Sequence, residues 1–218
     1  MSFEFKQKFL ILTSFFLLLA LSGCLLKEKI VEKGGGEGVE KNLKLKMKNE
    51  KILMVVAPEN FRDEEYQKPK EVLENAGYQV VTASKGVSVA KGMLGANISV
   101  DQDVISVNIS DYSALVFVGG SGASVYFNDQ VALNLAKEAI SQGKVVGAIC
   151  IAPSILANAG VLVGKSATCF SSEAGNLKAK GANYSGGSVT VDGEIVTADG
   201  PGSAEEFGRK ILEVLGSN

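Results

Sequence analysis

Three short runs of apolar residues, separated by stretches with helical periodicity, constrain the fold of this chain more than any other feature. The runs are Ile52–Ala57, Ala114–Val118 and Val145–Ile149. A strand that is apolar along its whole length is typical of a parallel sheet covered on both faces. The sequence therefore predicts an α/β fold, in which a mainly parallel sheet is sandwiched between helices on both of its faces.

The segments between these runs agree with that fold. The predicted elements are helices over 64–76 and 129–141, a strand over 78–83 and short antiparallel strands near 98–107. Ser203 and Glu206 have the spacing of a capping box and predict the start of the last helix. Because the carboxyl ends of parallel strands meet at one edge of a sheet, the segments that follow the three apolar runs are expected to form one site.

The first fifty residues differ in composition from the rest of the chain. Residues 9–21 are an almost unbroken apolar run behind Lys6 and Lys8, and Leu21-Ser22-Gly23-Cys24 follows. This segment resembles the lipobox signal of prokaryotic lipoproteins. The resemblance implies cleavage before Cys24, a lipid on its sulfur and anchoring at the outer face of the cell membrane. The alternative is an uncleaved, single-span signal anchor, because residues 9–26 carry no charge.

Composition separates a tether from a folded domain, and it argues against a nucleic-acid partner and against His-based catalysis or metal binding. After the signal segment (1–23), residues 24–50 are rich in Lys, Glu and Gly and predict a flexible tether to a folded domain over 51–218. A net charge of -2 gives no basic excess, so no nucleic-acid partner is expected. The chain has no His, the usual general base and the commonest metal ligand. Neither a metal nor another cofactor is expected.

Cys150 stands where the third apolar run stops and a helical pattern begins. Pro153 suits the first turn of a helix, where its missing N–H costs nothing. At such a junction, main-chain N–H groups and the positive end of the helix dipole favour a thiolate over a thiol. The sequence therefore makes Cys150 a candidate reactive thiol. The alternative is a buried core cysteine.

Four motifs resemble the ThiJ/PfpI superfamily, which has the flavodoxin-like, class I glutamine-amidotransferase-like fold. They are Asn60-Phe61-Arg62-Asp63-Glu64-Glu65 with Pro69, Val118-Gly119-Gly120, Ala148-Ile149-Cys150-Ile151-Ala152-Pro153, and Gly200-Pro201-Gly202-Ser203 with Glu206-Phe207. Their order and spacing span about residues 51–215. The resemblance implies that Cys150 is a nucleophile on a strand-to-helix elbow and that Glu65 accepts or shares its proton. It also implies that the main chain near Gly119, Gly120 and Ile151 forms an anion pocket.

Two departures from the family pattern narrow the function. Ile151 follows the nucleophile directly, where peptidase-like members carry His, so peptidase activity is the least supported. Cys169 stands where members with glyoxalase or deglycase activity carry His. Its thiol is either a resolving partner for Cys150 in a reversible disulfide or a buried packing group.

Two classes of function stay open at this point. The first is a cysteine-dependent enzyme acting on a small reactive carbonyl such as a 2-oxoaldehyde, as glyoxalases and deglycases do. The second is a redox-responsive or chaperone-like protein whose Cys150 is modified by an oxidant without turnover. The expected partners are membrane lipid through Cys24, a carbonyl compound or oxidant at Cys150, and further copies of the chain in a homodimer or higher homo-oligomer.

Overall fold

The computed structural model describes residues 50–217. The predictions made for the signal segment, the lipidated Cys24 and most of the tether therefore lie outside the described residues. The strands are β1 (Lys51–Val55), β2 (Glu59–Phe61), β3 (Gln79–Ser84), β4 (Val89–Gly92), β5 (Asn97–Ser99), β6 (Gln102–Asp103), β7 (Ala114–Phe117), β8 (Val145–Ile149), β9 (Ser166–Ala167), β10 (Asn183–Tyr184), β11 (Val189–Asp192) and β12 (Ile195–Ala198). The helices are α1 (Asp63–Asn75), α2 (Gln130–Ser141), α3 (Pro153–Asn158), α4 (Ala174–Ala179) and α5 (Ala204–Ser217).

Seven strands form the central sheet in the order β11-β12-β8-β7-β1-β3-β6. Every neighbouring pair is parallel except β11 and β12, which are antiparallel. The three apolar runs supply the adjacent strands β8, β7 and β1 in the middle, and these strands are almost entirely buried. The predicted α/β fold with a mainly parallel sheet is confirmed.

Helices cover both faces of the sheet in two packed pairs, α1 with α5 and α2 with α3. Two glycines allow close packing on the α1–α5 side. A Cβ on Gly147 of β8 would lie 2.9 Å from side-chain atoms of Ile211 and Phe207, and a Cβ on Gly208 would lie 2.8 Å from the Pro69 Cα. These two glycines let α1, α5 and β8 pack against one another without voids. Added volume on this side of the core is therefore expected to destabilise the fold.

The structure departs from the sequence prediction at three places. The antiparallel pair is β4–β5, which begins earlier than predicted and joins β2 in a separate three-stranded sheet. Strand β6 instead extends the central sheet, parallel to β3. The predicted capping pair is replaced, since the Ser203 hydroxyl donates to Asp199 Oδ1 at 2.6 Å. A charged carboxylate accepts a stronger hydrogen bond than a neutral group does, and Asp199, directly after β12, lies within reach of the Ser203 hydroxyl.

Candidate active site

The segments that follow β1, β7 and β8 meet at the carboxyl edge of the sheet, as the sequence predicted. The Arg62 N–H, at the start of α1, donates to the Gly119 carbonyl at 3.0 Å. Gly120 has φ +94° and packs directly on the main chain of Asn60 and Phe61, where a Cβ would find no space. The loop after β7 is therefore fixed against the segment that leads into α1.

Cys150 lies on a strained elbow between β8 and α3. Its φ is +64°, a left-handed conformation that costs a residue with a side chain roughly 1–3 kcal/mol. Main-chain hydrogen bonds hold the elbow from two sides: the Cys150 N–H donates to the Ala198 carbonyl at 2.9 Å, and its carbonyl accepts from the Phe170 N–H at 2.7 Å. The strain is thus maintained by neighbours on β12 and on the segment after β9.

Glu65 is brought to this elbow by the first turn of α1 and is fully buried. Gly119 separates the two groups: a Cβ on Gly119 would overlap Glu65 Oε2 and would lie 2.6 Å from the Cys150 Cβ. Neither carboxyl oxygen of Glu65 has a well-formed hydrogen bond with another group among residues 50–217. A buried carboxyl group without such partners is costly to ionise, so it favours its protonated form.

The thiol and the carboxyl group form a coupled acid–base pair. Burial raises the pKa of Glu65 to about 7, although the neighbouring Cys150 thiol and the Arg62 charge act in the opposite direction. Burial and the Glu65 charge raise the pKa of the Cys150 thiol to about 12. The two negative charges repel each other, so the pair tends to keep one proton at neutral pH.

This electrostatic balance corrects the prediction that the elbow favours a thiolate. The main-chain N–H groups of Gly120 and Ile151 do lower the pKa of the Cys150 thiol, but burial and the Glu65 carboxylate outweigh them. Helix α3 has six residues and begins at Pro153, after an intervening turn, so little dipole reaches the sulfur. A thiolate at Cys150 is favoured only while the proton of the pair sits on Glu65.

Cys169 lies beside the elbow, immediately before Phe170, whose N–H is bound to the Cys150 carbonyl. Both cysteines are free thiols; Cys150 is half-buried and Cys169 is 1% exposed. Burial, with Glu173 and Cys150 nearby, raises the pKa of the Cys169 thiol to about 12. Cys169 is therefore a protonated group at neutral pH and is a poor substitute for an imidazole base.

An open cleft of about 420 Å³ adjoins Cys169. Its lining includes Phe170, Tyr184, Asp199 and Pro201. The sequence singled out none of these four for a role, although Pro201 belongs to the fourth family motif and Phe170 follows Cys169 directly. Arg62 was also missed; it is half-exposed, is held by Glu64 at 2.8 Å, and its positive charge reaches both Glu65 and Cys150.

Two features are absent from the described part of the chain. Residues 50–217 contain no group of three or more Cys, Asp or Glu side chains arranged to hold a metal ion. Over the same residues, none of the helices has both the length and the apolar character needed to cross a bilayer.

The chain matches the DJ-1/PfpI family over residues 50–214. It is 44% identical over 177 residues to an uncharacterized protein of Methanocaldococcus jannaschii, covering 79% of this chain and 85% of that one. It is 32% identical over 165 residues to the deglycase PfpI of Pyrococcus furiosus, covering 76% and 99%. The crystal structure of a ThiJ/PfpI domain protein from Brachyspira murdochii superposes with a TM-score of 0.75 at 35% identity, covering 77% of this chain and 97% of that one.

Other relatives in this set are named as deglycases and as a glutathione-independent glyoxalase. The match extends over almost the whole described part of the chain and includes the elbow, the two glycines after β7 and the acidic start of α1. The sequence match and the fold agree, and the chain belongs to the DJ-1/PfpI family.

Proposed function

We propose that this chain is a cysteine-dependent enzyme that converts a small 2-oxoaldehyde into a 2-hydroxy acid, with Cys150 as nucleophile and Glu65 as proton carrier. The observation that carries the proposal is the space at Gly119, which lets a buried carboxyl group and an elbow thiol flank the same main-chain atoms. The relatives named as deglycases and as a glyoxalase support a reactive carbonyl as the substrate.

In the first step the Cys150 sulfur attacks the aldehyde carbon. A C–S bond forms, the electron pair of the C=O bond moves onto oxygen, and the thiol proton is transferred to that oxygen, which gives a hemithioacetal. The N–H groups of Gly120 and Ile151, which already act on the sulfur, are suited to oppose the negative charge that develops on the oxygen.

In the second step the ionised Glu65 removes the C–H proton of the hemithioacetal carbon and returns it to the neighbouring carbon. The hydroxyl proton of the hemithioacetal passes to the oxygen of that neighbouring carbon, and a 2-hydroxyacyl thioester results. A carboxyl group whose pKa is about 7 is a stronger base than an ordinary glutamate and is still half ionised at neutral pH. Water then hydrolyses the thioester, so the 2-hydroxy acid leaves and the Cys150 thiol is restored.

The missing imidazole predicts slow turnover. A positioned acid–base group typically contributes about 10²–10⁴-fold to a rate, and here one carboxyl group serves every proton transfer. Glu65 is therefore expected to matter nearly as much as Cys150.

The test measures lactate formed from methylglyoxal by the purified full-length protein. We expect no lactate from Cys150→Ser and a rate about 10²–10⁴-fold below wild type from Glu65→Gln. Glu71→Gln is the matched control, because Glu71 is an exposed residue of the same helix. Undiminished turnover by Cys150→Ser would show that the thiol is not the nucleophile. A wild type inactive on several 2-oxoaldehydes would overturn the proposal.

A further inference from the structure

Two free thiols lie on adjacent segments at the elbow, and the carbonyl chemistry proposed above uses only one of them. The hydrogen bond from the Phe170 N–H to the Cys150 carbonyl is 2.7 Å long. With standard backbone dimensions, this bond places the Cα atoms of Cys150 and Cys169 at most about 7.5 Å apart. Disulfides usually join Cα atoms separated by about 4.4–6.8 Å, so at most a small shift of one segment is needed.

Room for that shift exists on the Cys169 side. The open cleft of about 420 Å³ is lined by Cys169 and Phe170, and the Phe170 side chain is 47% exposed. Hydrogen bonds hold both segments: the Cys150 N–H donates to Ala198, and the N–H of Thr168, directly before Cys169, donates to Thr197 Oγ1 at 2.9 Å. The shift is therefore expected at the Phe170 end of the Cys169 segment, which lines the open cleft.

The two thiols are not equivalent toward an oxidant from solution. Cys150 is half-buried, whereas Cys169 is only 1% exposed. An oxidant thus meets Cys150 first, and the burial of Cys169 slows its direct oxidation. We propose that Cys150 and Cys169 form a redox pair that reduces hydroperoxides, with Cys150 as the attacking thiol and Cys169 as the resolving thiol.

The reaction balances in two steps. First, the Cys150 thiol proton passes to Glu65, and the sulfur attacks a peroxide oxygen: an S–O bond forms, the O–O bond breaks, and the leaving alkoxide or hydroxide takes that proton from Glu65. Cys150 becomes a sulfenic acid, and Glu65 is again a carboxylate. Second, the Cys169 sulfur attacks the Cys150 sulfur: the S–S bond forms, the S–O bond breaks, and hydroxide leaves with the Cys169 proton as water.

In sum, two thiols lose two electrons, and one hydroperoxide becomes an alcohol and water. An external dithiol such as dithiothreitol restores the pair by thiol–disulfide exchange. The resolving step competes with a second peroxide, which would carry the sulfenic acid to a sulfinic acid. A tethered thiol has an effective concentration on the order of millimolar, so the disulfide is expected to prevail at micromolar peroxide.

The test is intact-mass and peptide mass spectrometry of the reduced, full-length protein after treatment with micromolar hydrogen peroxide. We expect wild type to lose about 2 Da and to yield a Cys150–Cys169 cross-linked peptide that dithiothreitol reverses. Cys169→Ser is expected to gain about 32 Da at Cys150, as a sulfinic acid that dithiothreitol does not reverse. Cys169→Ala serves as a second variant if the serine substitution disturbs folding.

This readout needs no carbonyl turnover, so it can fail or succeed independently of the function proposed above. A wild-type protein that accumulates the sulfinic acid at the same rate as Cys169→Ser, with Cys169 still a free thiol, would overturn the redox pair. So would a Cys150 that does not react with peroxide at all. Cross-linking through Cys169 in Cys150→Ser would show that the order of the two thiols is wrong.

Discussion

At the scale of single residues, the site depends on one glycine and one buried carboxyl group. Gly119 leaves the space that Glu65 and the Cys150 elbow both need. Glu65 is fully buried, so its charge is expensive and its proton is held to an unusually high pH. The reactivity of the thiol is consequently set by a carboxyl group that is distant in sequence.

The first prediction concerns the rate at which Cys150 is alkylated. In wild type the Glu65 carboxylate raises the pKa of the thiol, so Glu65→Gln should lower that pKa and speed labelling by iodoacetamide at pH 8. Cys169 should label much more slowly in both proteins because it is 1% exposed. Peptide mass spectrometry gives both rates, with Glu71→Gln as control. Equal labelling of the two thiols, or slower labelling of Cys150 in Glu65→Gln, would contradict the proposed pair.

The second prediction concerns Gly119→Ala. The added methyl group meets Glu65 Oε2, the Cys150 Cβ and the Ile149 carbonyl, so overpacking should cost about 1–3 kcal/mol of unfolding free energy. Urea unfolding measures the loss. Gly175→Ala is the matched control: Gly175 lies in α4 with open space around it, so the change should stabilise by about 0.5–1 kcal/mol. A neutral Gly119→Ala would mean that the elbow and α1 are less closely packed than described.

At the scale of elements, the start of α1 holds more than the Glu65 carboxyl group. Asp63, one turn before Tyr66, accepts hydrogen bonds from the main-chain N–H groups of Leu94 and Ala96 at 2.9 and 2.8 Å. Its carboxylate fills the space above Gly92, where a Cβ would lie 2.5 Å away. The turn between β4 and β5 is thus tied to the helix that presents Glu65.

The third prediction tests this tie. Asp63→Ala removes a charged acceptor from two N–H groups, so we expect a loss of about 1–3 kcal/mol of stability. Amide hydrogen exchange over residues 93–97 should also become faster than in wild type. Asp111→Ala, at an exposed position, should change neither quantity. Unchanged exchange over 93–97 in Asp63→Ala would show that the turn is held by its own hydrogen bonds instead.

At the scale of the whole molecule, the parallel sheet gathers the site because three buried strands end side by side. Residues from the start of α1, from the loop after β7 and from the elbow then lie within contact distance. The lipid anchor at Cys24, the location at the membrane and the homo-oligomer stay predictions of the sequence. Cys24 lies outside the described residues, and the membrane and a second copy of the chain are expected partners of the domain.

The fourth prediction concerns stability against pH. Glu65 has an ordinary pKa of 4.5 when exposed and about 7 when buried, so the folded state binds the extra proton between these values. The stability that this group contributes is fully present below about pH 4.5 and is lost as the pH rises through about 7. The reason is that between these two pH values the unfolded chain binds fewer protons than the folded state. The total is on the order of 3 kcal/mol, at about 1.4 kcal/mol per pKa unit.

Urea unfolding at pH 5 and pH 8 measures this effect. The side chain of Glu65→Gln cannot titrate. Its free energy of unfolding, compared with that of wild type, should therefore rise between pH 5 and pH 8 by most of the ~3 kcal/mol. Glu71→Gln should follow wild type at both. If wild type and Glu65→Gln showed parallel stability from pH 5 to pH 8, Glu65 would have to ionise at its ordinary pKa in the folded protein.

The sequence by itself determined the sheet, the elbow and the family. Continuous apolar runs require burial on both faces, and the motifs around Cys150 and Glu65 stand in the expected order. Only the tertiary structure decided the burial and the neighbouring charge that raise the pKa of the Cys150 thiol, the hydrogen bond between Cys150 and Phe170, and the strands β2, β9 and β10. These depend on contacts between segments far apart in the chain. Local patterns carry propensity and periodicity, whereas desolvation and pairing arise only once the fold brings such segments together.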